Sequence, residues 1–290
     1  MSKIKIITDS CCDLSKEIID ELGIKVLPFT VSLEGKEFRE LFDISTDEIY
    51  EKLAKTDEIP KHAQITPLAF ADAYKEALDE GYTDVICVSI NSKGSGTFRN
   101  ACFARDEFFE NNPDAKGKIN IVNLDSTCYS IFYGYPIIEA VKKIRKGAEV
   151  DEIVAYLQEW FDNCAIYAVP YNLKYAKKSG RISAAAAFAG ELLGLKPVIL
   201  FDNGETSTVE KIRGEKNIVP KLCDILEKNM TPQTPYIILC GRDATLPKEF
   251  EKEMTKRTGR KAEMMNKIGA VVTSNIGPDL IAVLFRKKNQ

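Results

Sequence analysis

Residues Asp84 to Phe103 read DVICVSINSKGSGTFRNACF, and the fold turns on how this stretch is parsed. Its first half is apolar and β-branched at Val85, Ile86, Val88 and Ile90, the mark of a buried strand. Its middle, Asn91-Ser92-Lys93-Gly94-Ser95-Gly96, is turn chemistry throughout. Helical spacing returns from Thr97 to Phe109, with Phe98, Cys102, Phe103 and Phe109 available for one face. The order is strand, glycine-rich loop, helix. The first N–H groups of a helix have no partner within it and carry the positive end of its dipole. Two glycines let the backbone approach a ligand closely, and Ser92, Ser95 and Thr97 add hydroxyls. The stretch suits a carboxylate or a phosphate, and it reads equally as a helix capped by Ser95 with no ligand. Neither nucleotide fingerprint fits: GxxxxGK[ST] is absent, and Gly94-x-Gly96 lacks a third glycine three residues on.

Working outward, the same rhythm recurs. Lys3 to Thr8 reads as a central strand that ends at Asp9-Ser10-Cys11-Cys12-Asp13, followed by a helix from Ser15 to Gly23. Val26 to Leu33 reads as a second strand, with Lys36 to Phe38 pairing back, and Thr46 caps a helix over Asp47 to Lys55. Thr56 to Thr66 is a loop holding His62, and Thr66-Pro67 starts a helix. Ile119 to Leu124 is a strand closed by Asp125-Ser126-Thr127, and helices over 126–145 and 150–162 complete this half. Alternating strands and helices predict an α/β domain over residues 1–163, a mostly parallel sheet sandwiched by helices. Ligands bind at the carboxyl ends of such strands. Three loops converge there: 9–13, 91–96 and 125–127.

A different pattern follows from Cys164. The sequence predicts a second, α+β domain over 164–290: a strand at Ala165 to Val169, a short helix at 172–176, and a small-residue helix at Ala184 to Leu193. Next come a hairpin turning at Asn203-Gly204, helices over 215–228 and 247–258, and strands at 236–240, 267–273 and 280–285.

Composition narrows the function. The 290-residue chain is 44% hydrophobic and 29% charged, with a formal charge of −3, which argues against a general nucleic-acid partner. The apolar run Ala184 to Leu200 is broken by Glu191 and Lys196, and the N-terminus enters a strand directly, so a cytoplasmic protein is expected. Among 8 cysteines there is no C-x-x-C pair, and with a single histidine no metal site is expected. Cys11-Cys12, in a turn, is the one place where a reactive thiol is conceivable. No G-x-S-x-G elbow accompanies His62.

Together these motifs resemble the DegV family of bacterial fatty-acid-binding proteins, over nearly the whole chain. Thr8-Asp9-Ser10 matches the family's TDS, and Ser92-Lys93-Gly94-Ser95-Gly96-Thr97 its S-G-L-S-G-T loop. Asp125-Ser126 matches its D-S segment, and Lys178 to Ser183 its K-S-G-R-I-S run, continued by the match from Leu192 to Leu200. Two motifs depart. The family's TSQP reads His62-Ala63-Gln64-Ile65 here, and its H-x-G-P-G reads Asn275-Ile276-Gly277-Pro278-Asp279. The resemblance implies a non-catalytic carrier without a cofactor. It would bury one long acyl chain between two domains and hand the fatty acid to a separate kinase for phospholipid synthesis. It places the carboxylate at Ser95, with Ser92, Gly96, Thr97 and Arg181 also at the ligand. The family's carboxylate-binding threonine falls on His62 and its C-terminal histidine on Asn275, so His62 is expected to donate to the head group and Asn275 to serve as a neutral second donor.

Two other readings stand beside this one. An enzyme of phosphoryl or acyl chemistry would use an Asp9, Ser95 and Asp125 cluster. A partner-binding protein would use Lys174, Lys177, Lys178 and Arg181, a basic patch that also suits transient contact with an anionic membrane.

Overall fold

The computed structural model describes residues 2–189 and 194–288, and the chain divides into two compact units. The first comprises 1–45 and 61–162; the second comprises 46–60 and 163–290. The segment 46–60, counted with the first half from the sequence, belongs to the second unit. Its helix Thr46–Leu53 is held there by Tyr50, whose hydroxyl donates to the Ile268 carbonyl at 2.9 Å, and by the Lys267–Asp47 ion pair.

The strands of the first unit are β1 (Ile4–Asp9), β2 (Lys25–Leu27), β3 (Thr30–Leu33), β4 (Lys36–Arg39), β5 (Lys61–Ala63), β6 (Asp84–Ser89) and β7 (Asn120–Asp125). Four of them form a parallel sheet in the order β2-β1-β6-β7. All six β6 residues are buried, as expected when helices cover both faces. The chain moves one way from β1 to β2 and the other way through β6 to β7, so the direction reverses between β1 and β6. With right-handed crossovers, that reversal opens a crevice at the carboxyl ends of β1 and β6. The quoted stretch leaves the sheet at this point.

Several local expectations change. Val26 to Leu33 is two strands in two sheets, because Pro28 cannot donate to a ladder. The Phe29 N–H turns instead to Ser10 Oγ at 2.9 Å. β3 then joins β4 and β5 in a separate antiparallel sheet, which puts His62 on a short strand opposite Val31 rather than in a loop. The helix after β7 begins at Ile131, not Ser126. The helix Thr97–Asn111 buries Thr97, Ala101, Ala104 and Phe108, while Phe103 is exposed. Small residues face inward because helix Pro67–Asp79 packs closely there, with the Tyr74 hydroxyl 3.2 Å from the Ala101 carbonyl.

In the second unit β8 (Cys164–Pro170), β9 (Leu195–Asp202), β10 (Glu205–Arg213), β11 (Tyr236–Cys240), β12 (Met264–Lys267) and β13 (Leu280–Arg286) form one sheet, ordered β10-β9-β8-β13-β11-β12. All of its pairs are antiparallel except β11 with β12. The β9–β10 hairpin turns at Asn203 and Gly204, both at positive φ, as a type I′ turn requires. Its core gathers Val169, Leu222, Phe250 and Phe285, with Tyr167 stacked on Phe285. The strand expected at 267–273 ends at Lys267, and Ala270–Ile276 is a helix packed on helix Lys174–Ser179. The β-branched Val271, Val272 and Thr273 mislead here; tertiary packing overrides their propensity. The small-residue helix is described over Ser183–Ala187. Its expected remainder at 190–193, and with it the start of the match from Leu192, lies outside the described residues.

One position tests the packing of the first unit. A methyl group at Gly134 would lie 2.4 Å from the Cys12 carbonyl oxygen, in backbone that cannot easily move. Gly134→Ala is expected to cost about 1–3 kcal/mol, read as a lower denaturation midpoint with an unchanged urea slope.

Candidate functional site

The site is built at the carboxyl ends of β1, β6 and β7, from backbone donors that the strands leave behind. Asp9 closes β1. Its carboxylate accepts the Ile90 N–H at 2.8 Å, the Cys11 N–H at 3.1 Å and the Tyr133 hydroxyl at 2.5 Å. These donors come from the exit of β6, the turn after β1 and helix Ile131–Arg145. Asp125 closes β7, and one of its oxygens accepts N–H groups from both Ser92 and Thr127 at 3.0 Å. Each aspartate therefore ties the loop 90–96 to a neighbouring strand end. The carboxylates of the Asp9, Ser95 and Asp125 cluster act as loop anchors.

The loop itself folds on Asn91. Its carbonyl accepts the N–H groups of Gly94 at 3.0 Å and Ser95 at 3.1 Å, and its side-chain oxygen accepts that of Lys93 at 3.0 Å. Its amide nitrogen donates to the Tyr129 hydroxyl at 2.8 Å. The Gly96 N–H goes to Gln64 Oε1 at 2.9 Å, and the Thr97 N–H to Ser95 Oγ at 3.3 Å. The residue preceding the helix is Gly96, not Ser95. At both loop glycines a Cβ would displace a side chain that holds the loop, lying 2.6 Å from the Tyr129 hydroxyl at Gly94 and 2.5 Å from Gln64 Oε1 at Gly96.

This accounting changes the expected chemistry. The N–H groups of residues 92–97 are engaged within the protein, so they are not the anion cradle that the loop pattern suggests. Hydroxyls remain. Ser95 Oγ and Thr97 Oγ1 are 2.9 Å apart, and one hydroxyl proton serves that bond. Thr97 is fully buried and Ser95 half-buried. When Thr97 donates inward to Ser95, the Ser95 proton is the one that reaches a ligand.

The remaining expected residues are placed as follows. Ser92 is exposed and contributes its backbone N–H to Asp125. His62 is half-buried on β5, with its ring 6.2 Å from that of Phe29. Two residues on, Gln64 links this segment to the Ser95 loop. Gln64 and Asn91 are visible in the sequence only as motif and turn residues, and Tyr129 and Tyr133 carry no local signal, because only the folded chain brings them to the loop and to Asp9. Asn275 lies in the second unit, near the end of helix Ala270–Ile276, where its Nδ2 donates to the Val271 carbonyl at 2.7 Å. Arg181 is exposed in the same unit, just after Gly180, which is at positive φ. Beside the motif around Asn275 is a pocket of about 190 Å³ lined by Tyr175, Gly277, Pro278 and the Arg242–Asp279 ion pair at 2.7 Å.

Electrostatics separate structural groups from available ones. Burial pushes the Asp9 carboxyl up to about 7, against hydrogen bonds from Tyr133, Ile90 and Cys11 that lower it. Burial, with the surrounding carboxylates, holds the thiols of Cys11 and Cys12 far above their ordinary range. Both are fully buried, which corrects the idea of a reactive thiol in this turn. Among the described residues no three His, Cys, Asp or Glu side chains are grouped to hold a metal ion, and no helix is long and apolar enough to cross a membrane.

Comparison with known proteins places the fold. The sequence profile of the DegV family, described as uncharacterised proteins, matches residues 3–288. A DegV domain-containing protein of Clostridium perfringens is 33% identical over 254 residues, 86% of this chain and 88% of the relative. A stearic-acid-binding protein from Eubacterium ventriosum has a similar structure, with a TM-score of 0.87 at 26% identity, covering 99% and 98% of the two chains. A DegV family protein from Thermus thermophilus, solved for its fatty-acid binding, matches with a TM-score of 0.85 at 27% identity, over 99% of this chain and 100% of its own.

The raised carboxyl sets a direction for stability. Asp9 holds its proton more tightly folded than unfolded, so its contribution is fully present below the ordinary value of 3.8 and is lost as pH rises through about 7. Urea denaturation from pH 4 to 8 should show stability falling more steeply in the wild type than in Asp9→Asn.

Proposed function

This chain belongs to the DegV family, and from that premise we propose that it binds a long-chain fatty acid, with the carboxylate at Ser95, and catalyses no reaction. The observation that carries the reading is the half-exposed Ser95 hydroxyl, set on a loop whose own N–H groups are already engaged. One donor of this kind orients a head group. It does not supply the binding energy. A hydrogen bond to a charged group contributes about 1.5–3 kcal/mol, whereas each buried methylene contributes ~0.8 kcal/mol, or roughly 10 kcal/mol for a long chain before entropy costs. Affinity therefore resides in the tail, and the head group sets register.

His62 serves as a second donor to the carboxylate in place of the family's threonine. Asn275, at the position of the family's histidine, lies in the second unit, where its Nδ2 donates to the Val271 carbonyl and to Ser274 Oγ. The protein presents its fatty acid to a separate fatty acid kinase for phospholipid synthesis. The exposed Lys174, Lys178 and Arg181 offer a cationic surface for that contact or for a transient one with an anionic membrane.

Mass spectrometry of freshly purified, denatured protein tests the reading. The wild type should release a long-chain fatty acid. Ser95→Ala should weaken binding roughly tenfold or more, and His62→Ala by less. Unchanged occupancy in the double variant, or a wild type free of lipid, would overturn the assignment.

A further inference from the structure

Buried acids gather at the foot of the Ser95 loop. Asp9, Glu40 and Asp13 are 0%, 2% and 7% exposed. The Ser10 hydroxyl donates to Glu40 at 2.6 Å, and the Ser130 hydroxyl donates to Asp13. Asp9 itself is faced by Glu40, just past β4, by Cys11 and Cys12 of the turn that follows it, by Cys87 of β6 and by Tyr133 of helix Ile131–Arg145. Asp13 lies beside the same two thiols. Each of these groups is neutral or anionic. The carboxylate is also directly wired to the head-group loop: it accepts the Ile90 N–H, and the carbonyl of the next residue, Asn91, accepts the Ser95 N–H at 3.1 Å.

Resting on the reading that a carboxylate binds at Ser95, we propose that the ligand is captured together with a proton, taken from solvent onto the Asp9 carboxylate. An arriving anion adds negative charge beside a region where Asp9, Glu40 and Asp13 are already buried. Like charges at close range raise each other's proton affinity, and the low dielectric strengthens the effect. Asp9 responds because burial already keeps it near the midpoint of its titration at neutral pH. No bond other than O–H forms, and the fraction of a proton gained by Asp9 offsets part of the charge that the anion brings. By linkage the coupling is reciprocal, so the affinity for an anionic ligand falls as pH rises through neutrality. A carrier built this way would hold its fatty acid more tightly on the acidic side and release it more readily on the alkaline side.

Titration calorimetry of the intact protein tests this, with laurate as a probe that is ionised when free at neutral pH. Run at pH 7 in two buffers of different ionisation enthalpy, it should register fractional proton uptake per laurate bound. Affinity should fall about fivefold between pH 6 and 8. Dodecanol, which carries no charge, should show neither effect. Asp9→Asn should abolish both with laurate. Should that variant fail to fold, Tyr133→Phe removes a donor that favours ionised Asp9 and should move the fall in affinity to higher pH. Laurate binding without proton uptake, or uptake that persists in Asp9→Asn, would overturn the coupling while leaving fatty-acid binding intact. Failure of both laurate and palmitate to bind would remove the lipid-binding reading, and the coupling with it.

Discussion

The carboxylate of Asp9 is the acceptor on which the first unit converges. A parallel sheet leaves donors at the carboxyl ends of its strands, where the ladder stops and helices begin. Buried donors must find partners, and an unsatisfied one costs more than a made bond returns. Asp9 meets that demand for the end of β6, for the turn after β1 and for the start of helix Ile131–Arg145 at once. It does so at the reversal of strand order, where a crevice necessarily opens. The energetic consequence is a carboxyl group whose burial raises it to about 7 despite three donors, because dehydration of the charge outweighs the hydrogen bonds that favour it.

The same demand governs the loop 90–96. A glycine-rich turn ahead of a helix is commonly read as a set of free N–H groups awaiting an anion. Here Asn91, Gln64, Asp125 and Ser95 take those groups up internally. The loop is therefore rigid without a ligand, and its outward chemistry is reduced to a hydroxyl. A preorganised donor of this kind would lose little entropy on meeting an acceptor. At 94 and 96 a side chain would have to push aside Tyr129 or Gln64, the residues that hold the loop in place.

The departures at His62 and Asn275 have different physical settings. His62 sits on a short strand whose continuation, Gln64, grips the Ser95 loop, so its backbone is fixed relative to that loop. Asn275 is at a helix end, with its amide turned back onto the Val271 carbonyl. A histidine and an asparagine can both donate to a carboxylate, but only the histidine can also carry charge near neutral pH. His62 lies in the first unit, the one that holds Asp9.

By itself the sequence determined the two-part organisation, the parallel sheet and the strand–loop–helix order around Ser95. These follow from short-range rules: β-branched runs make buried strands, Thr66-Pro67 starts a helix, and Asn203-Gly204 turns a hairpin. The same rules failed where a long-range contact outweighed local preference. Val271 to Thr273 became helical through packing on helix Lys174–Ser179, and Pro28 split one apparent strand between two sheets. Segment 46–60 joined the second unit through Tyr50 and Asp47, contacts more than 200 residues away in sequence. Only the tertiary structure decided what the aspartates do. A turn aspartate can cap, catalyse or anchor, and nothing local distinguishes the three. Which of them Asp9 does depends on Ile90 and Tyr133, placed around it by the sheet's reversal and by a helix that starts 122 residues further along the chain.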